Sequence, residues 1–290
     1  MSVALTERQQ SPLAMICGGG SLPLAVAEFV SGRGRPVVLF PIIGAADGKA
    51  FERFTHHWVH IGQWGKLVRF ARAAGCRDVV FIGAMVRPSL WQLHLDLKGF
   101  SVLPRALAAF SGGDNHLLSS MGKLMEQEGF RLIGAHEVAP EILVPEGTLG
   151  HVHASERDRA DIAIGLDFLR ATGPFDVGQA VVVAGKHVLA VEAIEGTDQM
   201  LTRIAQLRAN GRLLAPTGTG VLIKAPKRGQ DLRYDMPTIG PQTVEGVARA
   251  GLAGIAVVAG STIIAEPGQL VAAADRAGIF VIGTPAGTER

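Results

Sequence analysis

Short apolar runs alternate with helical patterns along the first half of this chain, and that alternation limits its fold more tightly than any other feature. Leu13 to Cys17 reads as a strand, Leu22 to Val30 as a helix and Pro36 to Ile43 as a second strand. A third strand is expected around Trp58 to Ile61. It precedes a helix from Trp64 to Ala74 whose Trp64, Leu67, Val68 and Ala71 share one face. Asp78 to Ala84 reads as a further strand, and Leu117, Met121, Leu124 and Met125 mark a helix before a strand at Arg131 to Gly134. Strands joined through helices run parallel, because each crossover returns the chain to the same edge of the sheet. A hydrophobic content of 48% with only 6% aromatic residues suits such a sheet, whose core is built from Val, Ile, Leu and Ala.

The pattern changes after Pro140, where Pro145, Gly147 and Gly150 punctuate a connector without periodicity. Two domains are expected, residues 1–147 and 148–290. Ser155 caps the next helix, which carries Ile162, Leu166 and Leu169 on one side. Gln179 to Ala193 reads as a hairpin turning at Gly185, Lys186 and His187, so the second sheet is mixed. A helix from Thr197 to Asn210, a buried strand at Val221, a helix from Pro241, strands near Ile255 to Val258 and Ile279 to Ile282, and a helix from Pro267 complete it. The predicted fold is therefore α/β: a Rossmann-like parallel-sheet domain, then an α/β domain with a mixed sheet, with the ligand cleft between them.

Several function classes fall away on composition. A net charge of +2 with no basic helix gives no purchase on nucleic acid. Every apolar run breaks before the roughly 18 to 20 residues that cross a bilayer. The opening MSVALTERQQS has neither the basic flank nor the apolar stretch of a signal peptide, so a soluble, cytoplasmic chain is expected. Cys17 and Cys76 have no metal spacing and read as packing residues. The clusters His56, His57, His60 and His151, His153 offer no zinc frame.

Chemistry concentrates in KAPKRGQDLRYDMPTIG, residues 224–240, where Lys224, Lys227, Arg228, Asp231, Arg233 and Asp235 follow the apolar Val221 to Ile223. Lysine and arginine at the mouth of a strand suit a phosphate ester, with a carboxylate left to hold Mg²⁺ or orient water. On charges alone, a solvated loop of mutual ion pairs fits equally well. The turn Gly18-Gly19-Gly20-Ser21-Leu22-Pro23 after the first strand leads straight into a helix, whose amides make an anion site. It is not a dinucleotide fingerprint: Pro23 takes the third glycine position, and the second strand ends in Phe40-Pro41 without an acidic ribose partner. Arg87 in GAMVRP and Asp114 in GGDN are further ligand candidates, Asp114 serving equally as a helix cap. Glu195-Gly196-Thr197-Asp198 opens another helix, with Thr197 or Asp198 as its cap and both acids as possible Mg²⁺ partners.

Taken in order, CGGGSLP, FIGAMVRPS, GDNHLLSSMGKLMEQEGF, the EGTD turn and KAPKRGQDLRYDMPTIGPQT resemble the LpxI-type UDP-2,3-diacylglucosamine pyrophosphatases of lipid A biosynthesis. The likeness runs from about residue 13 to residue 285. It implies a Gram-negative cytoplasmic enzyme releasing 2,3-diacylglucosamine 1-phosphate (lipid X) and UMP, dependent on a divalent cation such as Mg²⁺. It further implies a homodimer, with transient contact at the inner face of the inner membrane. Asp235, in the RYDMPTIG motif, is the carboxylate the resemblance marks as essential for turnover. The expected catalytic set is Asp235, Asp231 and Lys224, with Asp235 and Asp231 on the metal. Substrate contacts are expected from Gly18, Gly19, Gly20, Ser21, Leu22, Arg87, Asp114, Thr197, Asp198, Lys227, Gln230, Arg233, Thr238 and Gly240. A non-catalytic sugar-nucleotide or lipid-phosphate binding protein on the same frame is the alternative.

Overall fold

The computed structural model describes residues 11–46, 48–84, 94–101, 114–175, 177–227, 231–233 and 236–285, with 114–119 described by backbone alone. The chain forms two compact units, one reaching Pro140 and including Arg233, the other starting at Glu141.

The first unit holds a four-stranded parallel sheet: β1 (Leu13–Cys17), β2 (Val37–Pro41), β3 (Asp78–Ile82) and β4 (Arg131–Leu132), in the order β2-β1-β3-β4. Its helices are α1 (Leu22–Gly32), α2 (Trp64–Ala73), α3 (Asp114–Gln127) and α4 (Ala135–Val138). Every residue of the central strand β1 is buried, as a strand covered on both faces requires. Trp64, Leu67, Val68 and Ala71 of α2 pack into a core with Ala14, Ile16, Val38, Phe40 and Val79, so the predicted apolar face is the one buried.

The strand expected at Trp58 to Ile61 does not form. The segment runs beside β2 but makes only isolated parallel bridges, Leu39 with His56 and Ile42 with Val59. Leu39 donates to the Thr55 carbonyl (2.9 Å) and Ile43 to the Val59 carbonyl (2.9 Å); the intervening donor would come from Pro41, which has no N–H. Proline thus interrupts a ladder that the apolar pattern alone would extend.

At the amino-terminal edge of this sheet Asp78 is fully buried, meeting Arg35 Nη2 at 2.6 Å and Arg131 Nε at 2.8 Å. Burial pushes the Asp78 carboxyl up, but the hydrogen bonds and charges of Arg131 and Arg35 outweigh it and hold the carboxyl below its ordinary range. Burial pushes the Cys17 thiol up to about 12 and the Cys76 thiol up to about 11, so neither is a thiolate at neutral pH.

The second unit carries a six-stranded mixed sheet in the order β5-β12-β10-β8-β6-β7. The strands are β5 (Gly147–Leu149), β6 (Ala180–Ala184), β7 (His187–Val191), β8 (Val221–Lys224), β10 (Gly254–Val258) and β12 (Phe280–Thr284). A two-stranded parallel pair, β9 (Thr238–Ile239) with β11 (Ile263–Ile264), lies apart. The parallel core β8-β10-β12 is flanked by antiparallel β6 and β5. Its helices are α5 (Glu156–Thr172), α6 (Gly196–Ala209), α7 (Pro241–Arg249) and α8 (Pro267–Ala277). Ser155 caps α5 as predicted, its hydroxyl accepting the Asp158 amide (3.2 Å) while the Asp158 carboxylate takes the Ser155 amide (2.9 Å).

The predicted hairpin is β6-β7, but His187 belongs to the strand and pairs Ala184, so the turn is Gly185 at φ 58° and Lys186 at φ 67°, the left-handed pair that a two-residue turn needs. Lysine is unusual there. Asp161 of α5, 1% exposed, accepts both turn amides, from Gly185 (3.0 Å) and Lys186 (2.6 Å), and so fixes the turn. Farther along, Val183 pairs Val188 while Val182 pairs Ala190, so Leu189 is the extra residue of a bulge. Among the described residues no helix is long and apolar enough to cross a membrane.

Asp78→Ala strands two guanidinium groups at the base of the first sheet; because Arg131 is half exposed, we expect a loss of about 3 kcal/mol, the lower end for a broken buried pair. The stability owed to the Asp78 carboxylate is complete above the ordinary carboxylate pKa and is lost as pH falls through the depressed folded value. Chemical denaturation from pH 7 to pH 2 checks this: the wild type loses stability on acidification more steeply than Asp78→Ala.

Candidate active site

Open α/β sheets place ligands beyond the carboxyl ends of their parallel strands, and in the second unit that edge is marked by a buried cation. Lys224 is the last residue of β8 and only 9% exposed. An ammonium taken out of water must be compensated by hydrogen bonds. Lys224 Nζ donates to the Thr238 carbonyl at the start of β9 (3.0 Å) and to Thr197 Oγ1 in the first turn of α6 (3.1 Å). The Thr197 hydroxyl in turn donates to Glu192 Oε1 (2.8 Å), and Glu192 Oε2 accepts the Gln179 amide (2.8 Å). Lys224, Thr197 and Thr238, three residues expected at the site, are thus drawn together from three elements.

This arrangement corrects the expected cap. Neither Thr197 nor Asp198 caps α6: the cap position is held by Glu195, without a capping side-chain bond, and Thr197 lies inside the first turn with its hydroxyl turned toward Glu192. Asp198 is exposed. Gly240 donates its amide to Thr243 Oγ1 (3.2 Å) at the start of α7, and its φ of −156° is open to any residue. Lys227 is half-buried and Asp231 exposed, while Arg233 lies 3.5 Å from Glu126 within the first unit. Glu192 escaped the sequence reading. It precedes the EGTD turn, and nothing in its spacing says that its carboxylate folds back onto Thr197.

The first unit presents its glycine turn at the equivalent edge. Gly18 donates to the Ile82 carbonyl (2.8 Å), and Gly19 and Ala84 exchange amide bonds (2.8 and 2.9 Å), tying together the loops after β1 and β3. A Cβ on Gly18 would collide with the Ala84 carbonyl, and one on Gly19 would lie 2.8 Å from the Ala45 carbonyl oxygen. The first two glycines are therefore required by close backbone approach, and their amides serve the fold. Gly20 and Ser21 are exposed at the start of α1, where the helix dipole favours an anion; Leu22 is half-buried behind them. The histidines pack on rings, His57 on Phe70 and His60 on His94, both at 4.0 Å. Burial, His56 and Lys66 push His57 down, and burial, His94 and Lys66 push His60 down.

Asp235, Gln230 and Arg87 lie outside the described residues, and Asp114 opens α3 with its side chain undescribed. Among the described residues no group of three or more His, Cys, Asp or Glu side chains is placed to hold a metal ion. Mg²⁺ needs no such cage, since one or two carboxylates with water and substrate phosphates satisfy it.

The features together define the class: a two-domain α/β protein with a glycine turn opening a helix in one unit and a buried lysine at the ligand edge of the sheet in the other. Comparison with known proteins sharpens this. Residues 12–142 match the LpxI N-terminal domain and residues 145–282 the LpxI C-terminal domain. The chain is 42% identical over 271 residues to the UDP-2,3-diacylglucosamine pyrophosphatase LpxI of Caulobacter vibrioides, covering 93% of this chain and 96% of that one. The chain belongs to the LpxI family.

Gly18→Ala places a methyl group against an immovable carbonyl. We expect a loss of about 1 to 3 kcal/mol, read as a lowered melting temperature, whereas Gly20→Ala, with nothing within 4 Å of its Cβ, is limited to the strain of its φ of 90°.

Proposed function

We propose that this protein hydrolyses the pyrophosphate bond of UDP-2,3-diacylglucosamine, giving lipid X and UMP in lipid A biosynthesis. The observation that carries the reading is the 42% identity to the Caulobacter pyrophosphatase across nearly the whole of both chains. The geometry supports it. A pyrophosphate diester repels hydroxide because its oxygens are already negative, so catalysis consists chiefly of positioning and of neutralising charge as it develops. Lys224, held by Thr197 and Thr238 at the edge of the second sheet, offers a fixed positive charge for a nonbridging oxygen. Lys227, three residues beyond the strand on the same segment, adds a second cationic donor.

Asp235 is the proposed orienter of the attacking water or a metal ligand, with Asp231 the second carboxylate. Those two aspartates would hold a divalent cation, Mg²⁺ by preference, which supplies charge neutralisation on the phosphate oxygens. We place the enzyme in the cytoplasm as a homodimer, meeting its diacyl substrate by transient contact with the inner membrane surface.

The test is incubation of the purified protein with UDP-2,3-diacylglucosamine, with Mg²⁺ or with chelator, and identification of both products by mass. UMP and lipid X appear only with the metal. Asp235→Ala retains substrate binding but loses turnover by about a hundredfold or more. Binding without UMP release at any metal concentration would make the protein a sugar-nucleotide binder instead.

A further inference from the structure

We infer that Glu192 is a positioning residue for Lys224, acting through the Thr197 hydroxyl; this rests on the hydrolase reading above. An ammonium can only donate and a carboxylate can only accept, so a hydroxyl between them has one possible orientation. Thr197 must point its hydrogen at Glu192 Oε1, 2.8 Å away, and its lone pair at Lys224 Nζ, 3.1 Å away. Both links are charge-assisted, and each strengthens the other. Glu192 is itself immobilised. Its second oxygen takes the Gln179 amide (2.8 Å), its own amide donates to the Ala180 carbonyl (2.9 Å), and its carbonyl accepts from Gly178 (3.0 Å). Gly178 fits this packing because a Cβ there would come within 2.5 Å of Glu192 Cγ. Two of the three ammonium hydrogens of Lys224 are directed at Thr197 and Thr238, which fixes the third. The carboxylate thereby aims the cation and keeps its charge at the sheet edge.

The experiment compares wild type, Glu192→Gln, Thr197→Val and the double variant by steady-state kinetics on UDP-2,3-diacylglucosamine, by thermal melting, and by the ¹⁵Nζ ammonium signal of Lys224, assigned through its loss in Lys224→Arg. Glu192→Gln lowers kcat about tenfold, as for loss of one charge-assisted hydrogen bond, with little change in KM. Thr197→Val acts likewise, and the double variant is no worse than the poorer single, because both break one relay. The Lys224 ammonium signal broadens in both variants while their melting temperatures stay close to the wild type. Wild-type kcat in Glu192→Gln, additive losses in the double variant, or an unchanged ammonium signal beside a lowered kcat each overturn the assignment. If the wild type itself releases no UMP, the hydrolase reading fails on its own, and the ammonium signal alone decides: broadening in both variants supports the positioning role and retention refutes it.

Discussion

Burying one ammonium at the end of β8 is the constraint around which the second unit is organised. Water's solvation of that charge is lost and must be replaced by fixed dipoles, which come from a backbone carbonyl of β9 and a hydroxyl of α6. Neither partner is local in sequence. The cation therefore holds the strand, the two-stranded pair and the helix in one mutual arrangement. A surface lysine would impose no such requirement, and its loss would leave those elements free to settle by packing alone.

The first unit answers a different demand. Its turn brings two loops so close that their backbones exchange hydrogen bonds, which excludes any side chain at the first two glycines. A run of glycines before a helix is easily read as an anion cradle throughout. Here the run is divided: Gly18 and Gly19 close the fold, and the exposed Gly20 and Ser21 face outward at the helix start.

Much of this was legible from residue order. Alternating periods gave the parallel sheet and its order of elements, and Ser155 and the prolines at 241 and 267 marked helix starts, because these features act through local backbone geometry. The hairpin was legible from the break at Gly185, Lys186 and His187 between two apolar runs, although the Lys186 turn depends on Asp161, a residue of another element. What escaped involved a missing donor or a distant partner. Pro41 silently breaks a ladder between residues that look like strand, and Thr197 abandons the helix end for a carboxylate that no spacing rule links to it. The charged segment was legible as chemistry, and Lys224 stands at the predicted edge, but its burial followed from the packing around it.

The bulge at Leu189 bears on all of this, although it lies in an outer strand of the sheet. Side chains alternate faces along a strand, so a single inserted residue inverts the phase of everything beyond it. Glu192 lies just past that inversion. Were every residue of β7 paired without the skip, Val182 would meet Leu189 and the register beyond it would slip by one, sending the Glu192 carboxylate to the opposite side of the ribbon. The irregularity of β7 is thus a phase-setting element for the residues that follow it.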